Sequence, residues 1–132
     1  MNFVSVRVIT ADVARLVAFY ERVTGVTADW GNEDFAEVRT ASATLAIGST
    51  RTVPLFAPGS ARPAENHSAI LEFLVDDVDS VYRDLTGFVE EFVNEPTTMP
   101  WGNRALLFRD PDGNLVNFFT PVTPAAIEKF GR

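Results

Sequence analysis

Cysteine is absent from this chain of 132 residues, and histidine occurs once. The first absence excludes disulfides, thiolate metal sites and a cysteine nucleophile. The second leaves His67 as the sole imidazole. It sits beside a proline-rich stretch, where a surface-loop residue is expected rather than a ligand or base. Long apolar runs are also missing. Nothing approaches the roughly 18 consecutive apolar residues of a membrane span. Residues 1–7 lack the basic start and the roughly 7–15-residue apolar run of a secretory signal. No membrane partner is therefore expected, and the cytoplasm is the expected location. Basic residues are outnumbered, 11 Lys and Arg against 18 Asp and Glu, a formal net charge of −7. With no local basic patch, nucleic acid is not an expected partner. The same acidity favours a cationic ligand.

What is present describes a folded globular chain. Hydrophobic residues make up 46% and charged residues 22%, ordinary values for a chain with a core. The length suits one domain, residues 1–132. Val4, Val6 and Val8 alternate with Ser5, Arg7 and Ile9, which predicts a strand over 3–9. Asp12 offers an N-cap, and Val13, Leu16, Val17 and Tyr20 recur at helical spacing over 12–24, with Gly25 as the stop. Short strands are predicted at 26–31, 34–40 and 42–48. Residues 49–67, with Pro54, Pro58, Gly59 and Pro63, read as a linker. The order then repeats: a strand over 68–75, a helix opened by Asp76-Asp77 and closed near Thr86-Gly87, and strands at 88–94, 103–109 and 114–120. Asp110-Pro111-Asp112-Gly113 marks a tight turn. A short terminal helix is predicted over 123–130, with Pro124 near its start.

The two halves echo each other. Asp12-Val13 and Asp77-Val78 begin the helices; Thr24-Gly25 and Thr86-Gly87 end them. Two copies are too few for a solenoid, so a pseudo-twofold pair of βαβββ modules, 3–48 and 68–120, is the expected α+β architecture. These residues, with Ala18-Phe19-Tyr20 in the first half and Leu107 through Val116 in the second, resemble the vicinal oxygen chelate superfamily. That superfamily holds the glyoxalases, bleomycin-resistance proteins and extradiol dioxygenases. Pro100-Trp101-Gly102 is similar to the bleomycin-resistance branch. The resemblance implies a paired, cupped mixed sheet around a shared cleft.

In metal-dependent members, the resemblance places one ligand on each of four strands. Here those places fall on Ser5, on Thr44 or Ala46, on Ile70 and on Asn117, with Glu72 within a register slip of two. Imidazole or carboxylate donors are required at such a site, so no metal and no other cofactor is expected. In the resembled branch the tryptophan matching Trp101 stacks on planar rings of the ligand. Trp30 and Phe35 are the candidates for a facing aromatic wall; Trp30 and Trp101 could instead seal the ends of the fold. Strand alternation adds Arg7, Glu37, Glu72, Asn117 and Phe119 to the candidate lining. Glu37 or Glu72 could act as a general base, Arg7 and Arg39 could neutralise them or hold an anion, and simple ion pairing explains them equally.

The expected function is metal-independent binding of a small aromatic or cationic molecule. The alternative is an enzyme, a divergent lyase or isomerase of the glyoxalase kind; a module that binds only a protein partner is a third reading. A homodimer is expected. Relatives that exchange a first strand carry a hinge proline, and Ile9-Thr10-Ala11-Asp12 has none, which argues against that exchange.

Overall fold

The computed structural model describes residues 1–131. The chain divides into two compact units, Met1–Asn66 with Pro111–Gly113, and His67–Asp110 with Asn114 onward. Each carries a four-stranded mixed sheet with a helix on one face. The first unit runs β1 (Ser5–Thr10), α1 (Val13–Thr24), β2 (Asp29–Asn32), β3 (Phe35–Arg39) and β4 (Thr44–Ser49). A 3-10 turn, Thr50–Thr52, and a short helix α2, Val53–Phe56, follow. The second unit runs β5 (Ile70–Leu74), α3 (Val78–Leu85), β6 (Thr97–Thr98), β7 (Asn103–Arg109), β8 (Leu115–Pro121) and α4 (Pro124–Lys129). The strand orders are β1-β4-β3-β2 and β5-β8-β7-β6. In both, the first strand lies parallel to the last and the other pairs are antiparallel. The sequence repeat is thus a repeat of topology.

The helix punctuation is repeated at the level of atoms. Asp12 accepts a hydrogen bond from the Arg15 backbone N–H at 3.1 Å, and Asp77 accepts one from Ser80 at 3.2 Å. Each satisfies a backbone donor that the first turn leaves open. At the other ends, the Thr24 and Thr86 hydroxyls donate back to the carbonyls of Tyr20 and Tyr82. Gly25 and Gly87 follow with φ of +71° and +93°. The echoed Asp-Val and Thr-Gly pairs are therefore caps and stops.

Alternation sets the faces. Ala36, Val38, Leu45 and Ile47 are buried, and α1 packs over β3 and β4 with Leu16, Val17, Tyr20 and Val23. Val6 and Val8 share that side by register with Leu45 and Ile47, yet Val4 and Val6 are exposed. The reason is position: β1 is the sheet edge. In the second unit, Leu106, Phe108, Val116 and Phe118 are buried. Tyr82 of α3 begins an edge-to-face series through Phe92, Phe108, Phe118 and Phe73, with centroid spacings of 5.0–6.2 Å. Burying a phenylalanine contributes roughly 1.5–3 kcal/mol, and edge-to-face pairing adds to it. Much of the chain's aromatic content is core.

Two predicted elements differ. Residues 88–94 form no strand; only Phe92 bridges to Phe108. The backbone still meets β7 through Arg109 N–H to the Glu91 carbonyl at 3.0 Å and Val93 N–H to the Leu107 carbonyl at 2.8 Å. Asn94 continues the pairing with its side chain, its Oδ1 accepting from the Leu107 N–H at 2.7 Å and its Nδ2 donating to the Ala105 carbonyl at 3.4 Å. The predicted linker 49–67 contains α2, with a proline in its first turn where no N–H is needed.

Candidate functional site

In each unit, the sheet face opposite its helix carries the mixed residues. Paired residues on neighbouring strands point to the same side of a sheet, so the register defines these faces.

On the first sheet, one row runs Arg7, Ala46, Glu37 and Asp29, and the next runs Ile9, Gly48 and Phe35. The Arg7 guanidinium carbon lies 4.5 Å from the Phe35 ring centroid and 5.3 Å from that of Phe56. Glu37 is engaged by Arg39 at 3.0 Å, and Arg39 also approaches Asp29 at 3.5 Å. The segment carrying Phe56 is pinned by Asp34, which accepts from the Ser49 hydroxyl at 2.9 Å and from Arg51 Nε at 2.7 Å. The Arg51 and Ser49 hydrogen bonds hold the Asp34 carboxyl below its usual range.

The second sheet presents three rows: Ile70, Leu115 and Arg109; Glu72, Asn117 and Leu107; and Leu74, Phe119 and Ala105. Asn117 Nδ2 donates to Glu72 Oε2 at 2.8 Å. Asn117 Oδ1 is buried and has no hydrogen-bond partner, and Asn103 Oδ1, on the same face by register, is alike. Such orphaned acceptors are uncommon and call for a donor from water or a ligand. On the helix side, Arg104 grips Asp79 in the first turn of α3 through two bonds of 2.8 and 3.0 Å. Those bonds lower the Asp79 pKa and fix the helix to β7.

The structure thus brings together Arg7 with Phe35, Glu37 with Arg39, and Glu72 with Asn117. It separates others. Trp30 pairs with Ala36, which faces the helix side, so Trp30 and Phe35 occupy opposite faces and form no common wall. A register irregularity between Trp30 and Asn32 causes the offset. Phe119 is only 8% exposed and packs on Phe130, 5.1 Å between centroids, so it belongs to the seat of α4 rather than to an open lining. Trp101 is 68% exposed in the turn ahead of β7. His67 is exposed in the loop before β5. Phe56 escaped sequence reading; the run Val53-Pro54-Leu55-Phe56, with proline at a helix start, was its signal.

The four transferred metal positions are occupied by hydroxyl, amide and hydrocarbon groups. Ser5 pairs with Thr44, Ile70 with Leu115, and Asn117 with Glu72. One carboxylate and one amide do not make a divalent transition-metal site. Among the described residues no three His, Asp or Glu side chains gather to hold an ion. These donors do not fit the metal.

The βαβββ repeat and these faces match a known profile: residues 2–118 fit that of the glyoxalase/bleomycin resistance protein/dioxygenase superfamily. The chain belongs to this superfamily. An uncharacterized protein, YraH, of Bacillus subtilis is 27% identical over 125 residues, covering 90% of this chain and 98% of its own. A glyoxalase/bleomycin resistance protein/dioxygenase family enzyme from Burkholderia phytofirmans superposes with a TM-score of 0.80 at 18% identity, covering 92% of this chain and 100% of its own. A protein of unknown function from Agrobacterium tumefaciens gives 0.78 at 25% identity, covering 91% and 94%. At 18% identity the Burkholderia likeness speaks for the superfamily's fold, and chemistry has to be argued from residues. No helix among the described residues is long and apolar enough to cross a membrane.

Proposed function

We propose that this member of the superfamily binds a small molecule with an aromatic body and a basic or N–H donor group, without a metal. The observation that carries it is the Glu72–Asn117 pair on the uncovered face of the second sheet. A carboxylate and an unpartnered amide oxygen stand there beside Ile70, Leu74, Leu107 and Leu115, with Arg109, which pairs with Glu91, at the end of the first row. Few polar groups on an apolar ground is the usual composition of a ligand site. A donor on the ligand satisfies the orphaned oxygen, and the net charge of −7 favours a cation. Exposed Trp101 supplies a ring for stacking in the same unit.

The test uses an aminoquinoline as probe and a Trp30→Phe background, so that emission reports Trp101 alone. Saturable quenching is expected. Trp101→Ala and Glu72→Gln, followed by calorimetry, are each expected to weaken binding about tenfold, the scale of one stacking or charged contact. Unchanged affinity in both variants would overturn the proposal.

Glu72 also supports a second reading, a lyase or isomerase of the glyoxalase kind, because a carboxylate among apolar neighbours suits a general base. In that case Glu72→Gln removes turnover while substrate still binds.

A homodimer is part of the proposal. Both edge strands β1 and β5 present apolar side chains to solvent: Phe3 and Val4 just ahead of β1, Val6 within it, and Ile70 and Leu74 on β5. Exposed apolar edges are ordinarily covered by a partner. Sedimentation equilibrium is expected to give a dimer that Val6→Lys dissociates; a monomer at all concentrations would refute it.

A further inference from the structure

We propose that the face of the first sheet opposite α1 is a receptor for an oxyanion, a carboxylate or phosphate monoester, borne on an aromatic or apolar body, with Arg7 receiving the charge. This goes beyond the donor-binding strip, which lies in the second unit.

Three segments distant in sequence converge on one guanidinium: Arg7 from β1, Phe35 from β3 and Phe56 from α2. Stacking on rings leaves the in-plane N–H edges of an arginine available, and that edge is the fork that matches a carboxylate or phosphate. The charge is not spent elsewhere. Arg7 makes no ion pair or hydrogen bond among the described residues, whereas Arg39, Arg51, Arg62, Arg104 and Arg109 each meet a carboxylate within 3.5 Å. This happens in a chain with 18 acidic residues. The carboxylate in Arg7's own row, Glu37, is held by Arg39 at 3.0 Å. Arg15 also has no ion pair among the described residues, so it is the two rings against Arg7, together with its unspent charge, that single it out.

The surface beside it is shaped for close approach. Arg7 adjoins two small residues of β4, Ala46 and Gly48. A Cβ added at Gly48 would stand 3.5 Å from Arg7 Nη1 and 3.1 Å from Thr52 Oγ1. The Cβ would be in ordinary contact with Arg7 and tight only against Thr52, so Gly48 sits directly beside the guanidinium. The Asp34–Ser49–Arg51 network anchors the segment that delivers Phe56, so the ring position is set before any ligand arrives. The exposed ring of Phe56 with half-buried Phe35 and Ile9 suits the body of an aromatic acid better than a bare inorganic ion.

The experiment is a titration of the full chain followed by NMR of the arginine side-chain Nε–Hε groups. Benzoate and phenyl phosphate are the two anionic probes, and benzyl alcohol is the neutral ring. The Arg7 resonance, assigned by its loss in Arg7→Lys, is expected to shift saturably with at least one anion. The preferred anion tells carboxylate from phosphate. Benzyl alcohol is expected to bind at least about tenfold more weakly, the value of a charge-assisted contact. Arg7→Met is expected to lose about tenfold in affinity for the anion, and Arg7→Lys to recover only part of it, because an ammonium lacks the fork. Phe56→Ala is expected to change the ring-current shift of the Arg7 Nε–H in the free protein, leaving the part due to Phe35, and to weaken binding several-fold. That free-protein signal reports the cradle independently of ligand. Three results would each overturn the proposal: no saturable shift with either anion, equal binding of benzyl alcohol, or anion binding that survives undiminished in Arg7→Met. The aminoquinoline test in the second unit is separate, so either proposal can fail alone.

Discussion

Asp110→Ala is expected to lower the free energy of unfolding by about 3 kcal/mol, the sum of two buried hydrogen bonds to a carboxylate. Asp110 and Asn114 are both buried, at 5% and 4% exposure. Oδ1 of Asp110 accepts from the Asn114 backbone N–H at 2.9 Å, and Oδ2 accepts from Asn114 Nδ2 at 2.8 Å. The Asp110 N–H returns a bond to the Asn114 carbonyl at 3.0 Å. Between them, Gly113 adopts φ +83°, which only glycine does without strain. Alanine at 110 keeps the backbone bond and removes the carboxylate that accepts from both Asn114 donors. Asp110→Asn keeps one good acceptor and should lose about half as much. Urea unfolding at fixed pH measures both; a loss under about 0.5 kcal/mol for alanine would show that the closure of this turn does not depend on the carboxylate.

That turn is the most family-specific stretch of the sequence, and it serves the hairpin between β7 and β8. The most legible features of the chain were of this kind. Asp12, Asp77, Thr24-Gly25 and Thr86-Gly87 were readable because caps and stops depend on local geometry that a few residues specify. The alternating sets of β3, β4, β5 and β8 were readable because a half-buried strand has a period of two.

What escaped was decided by distant contacts. Phe88, Val89, Phe92 and Val93 have the composition of a strand, but Phe92 is taken into the Tyr82–Phe108 aromatic series, backbone pairing is confined to Glu91 and Val93, and Asn94 continues it with a side chain. No local pattern announces that exchange. Trp30 was assigned to the wrong face because one irregularity in β2 moves a side chain across the sheet. Of the candidate site, alternation puts Arg7, Phe35, Glu72 and Asn117 on the faces away from the helices, but it does not announce the Arg7–Phe35 stack or the Glu72–Asn117 hydrogen bond. Phe56 did not, because a four-residue helix inside a proline-rich stretch has too short a pattern to read. Phe119 failed as an open lining because Phe130, eleven positions on, covers it.

Gly102→Ala is the second large effect expected, and it tests how the tail is held. Gly102 has φ +95°, and an added Cβ would lie 2.0 Å from Thr123 Oγ1 and 3.0 Å from the Ala126 Cβ. The Gly102 carbonyl also accepts the N–H groups of Val122 and Thr123 at 2.9 and 3.3 Å. Thr123 is the N-cap of α4, its hydroxyl accepting from Ala126 N at 3.4 Å. One alanine therefore meets a disfavoured φ and a filled space together, for a combined cost of about 3 kcal/mol. The chain has a cheaper escape if α4 releases, since a helix of six residues has little stability of its own. Global unfolding then shows only the docking energy of α4, and the main signal is local. Hydrogen exchange over 124–130 is expected to rise towards unprotected rates while β7 and β8 stay protected. Release of Phe130 also uncovers Phe119 beside Leu74 and Ala105, so the variant gains apolar surface on the face where Glu72 and Asn117 lie. Unchanged protection of α4 together with unchanged stability would mean that the tail does not rest on Gly102. In that case Pro100-Trp101-Gly102 would owe its form to Trp101 alone. With α4 released and Trp101 retained, aminoquinoline affinity separates the two contributions: preserved affinity assigns binding to the tryptophan and the Glu72–Asn117 strip, and lost affinity makes the docked tail a wall of the site.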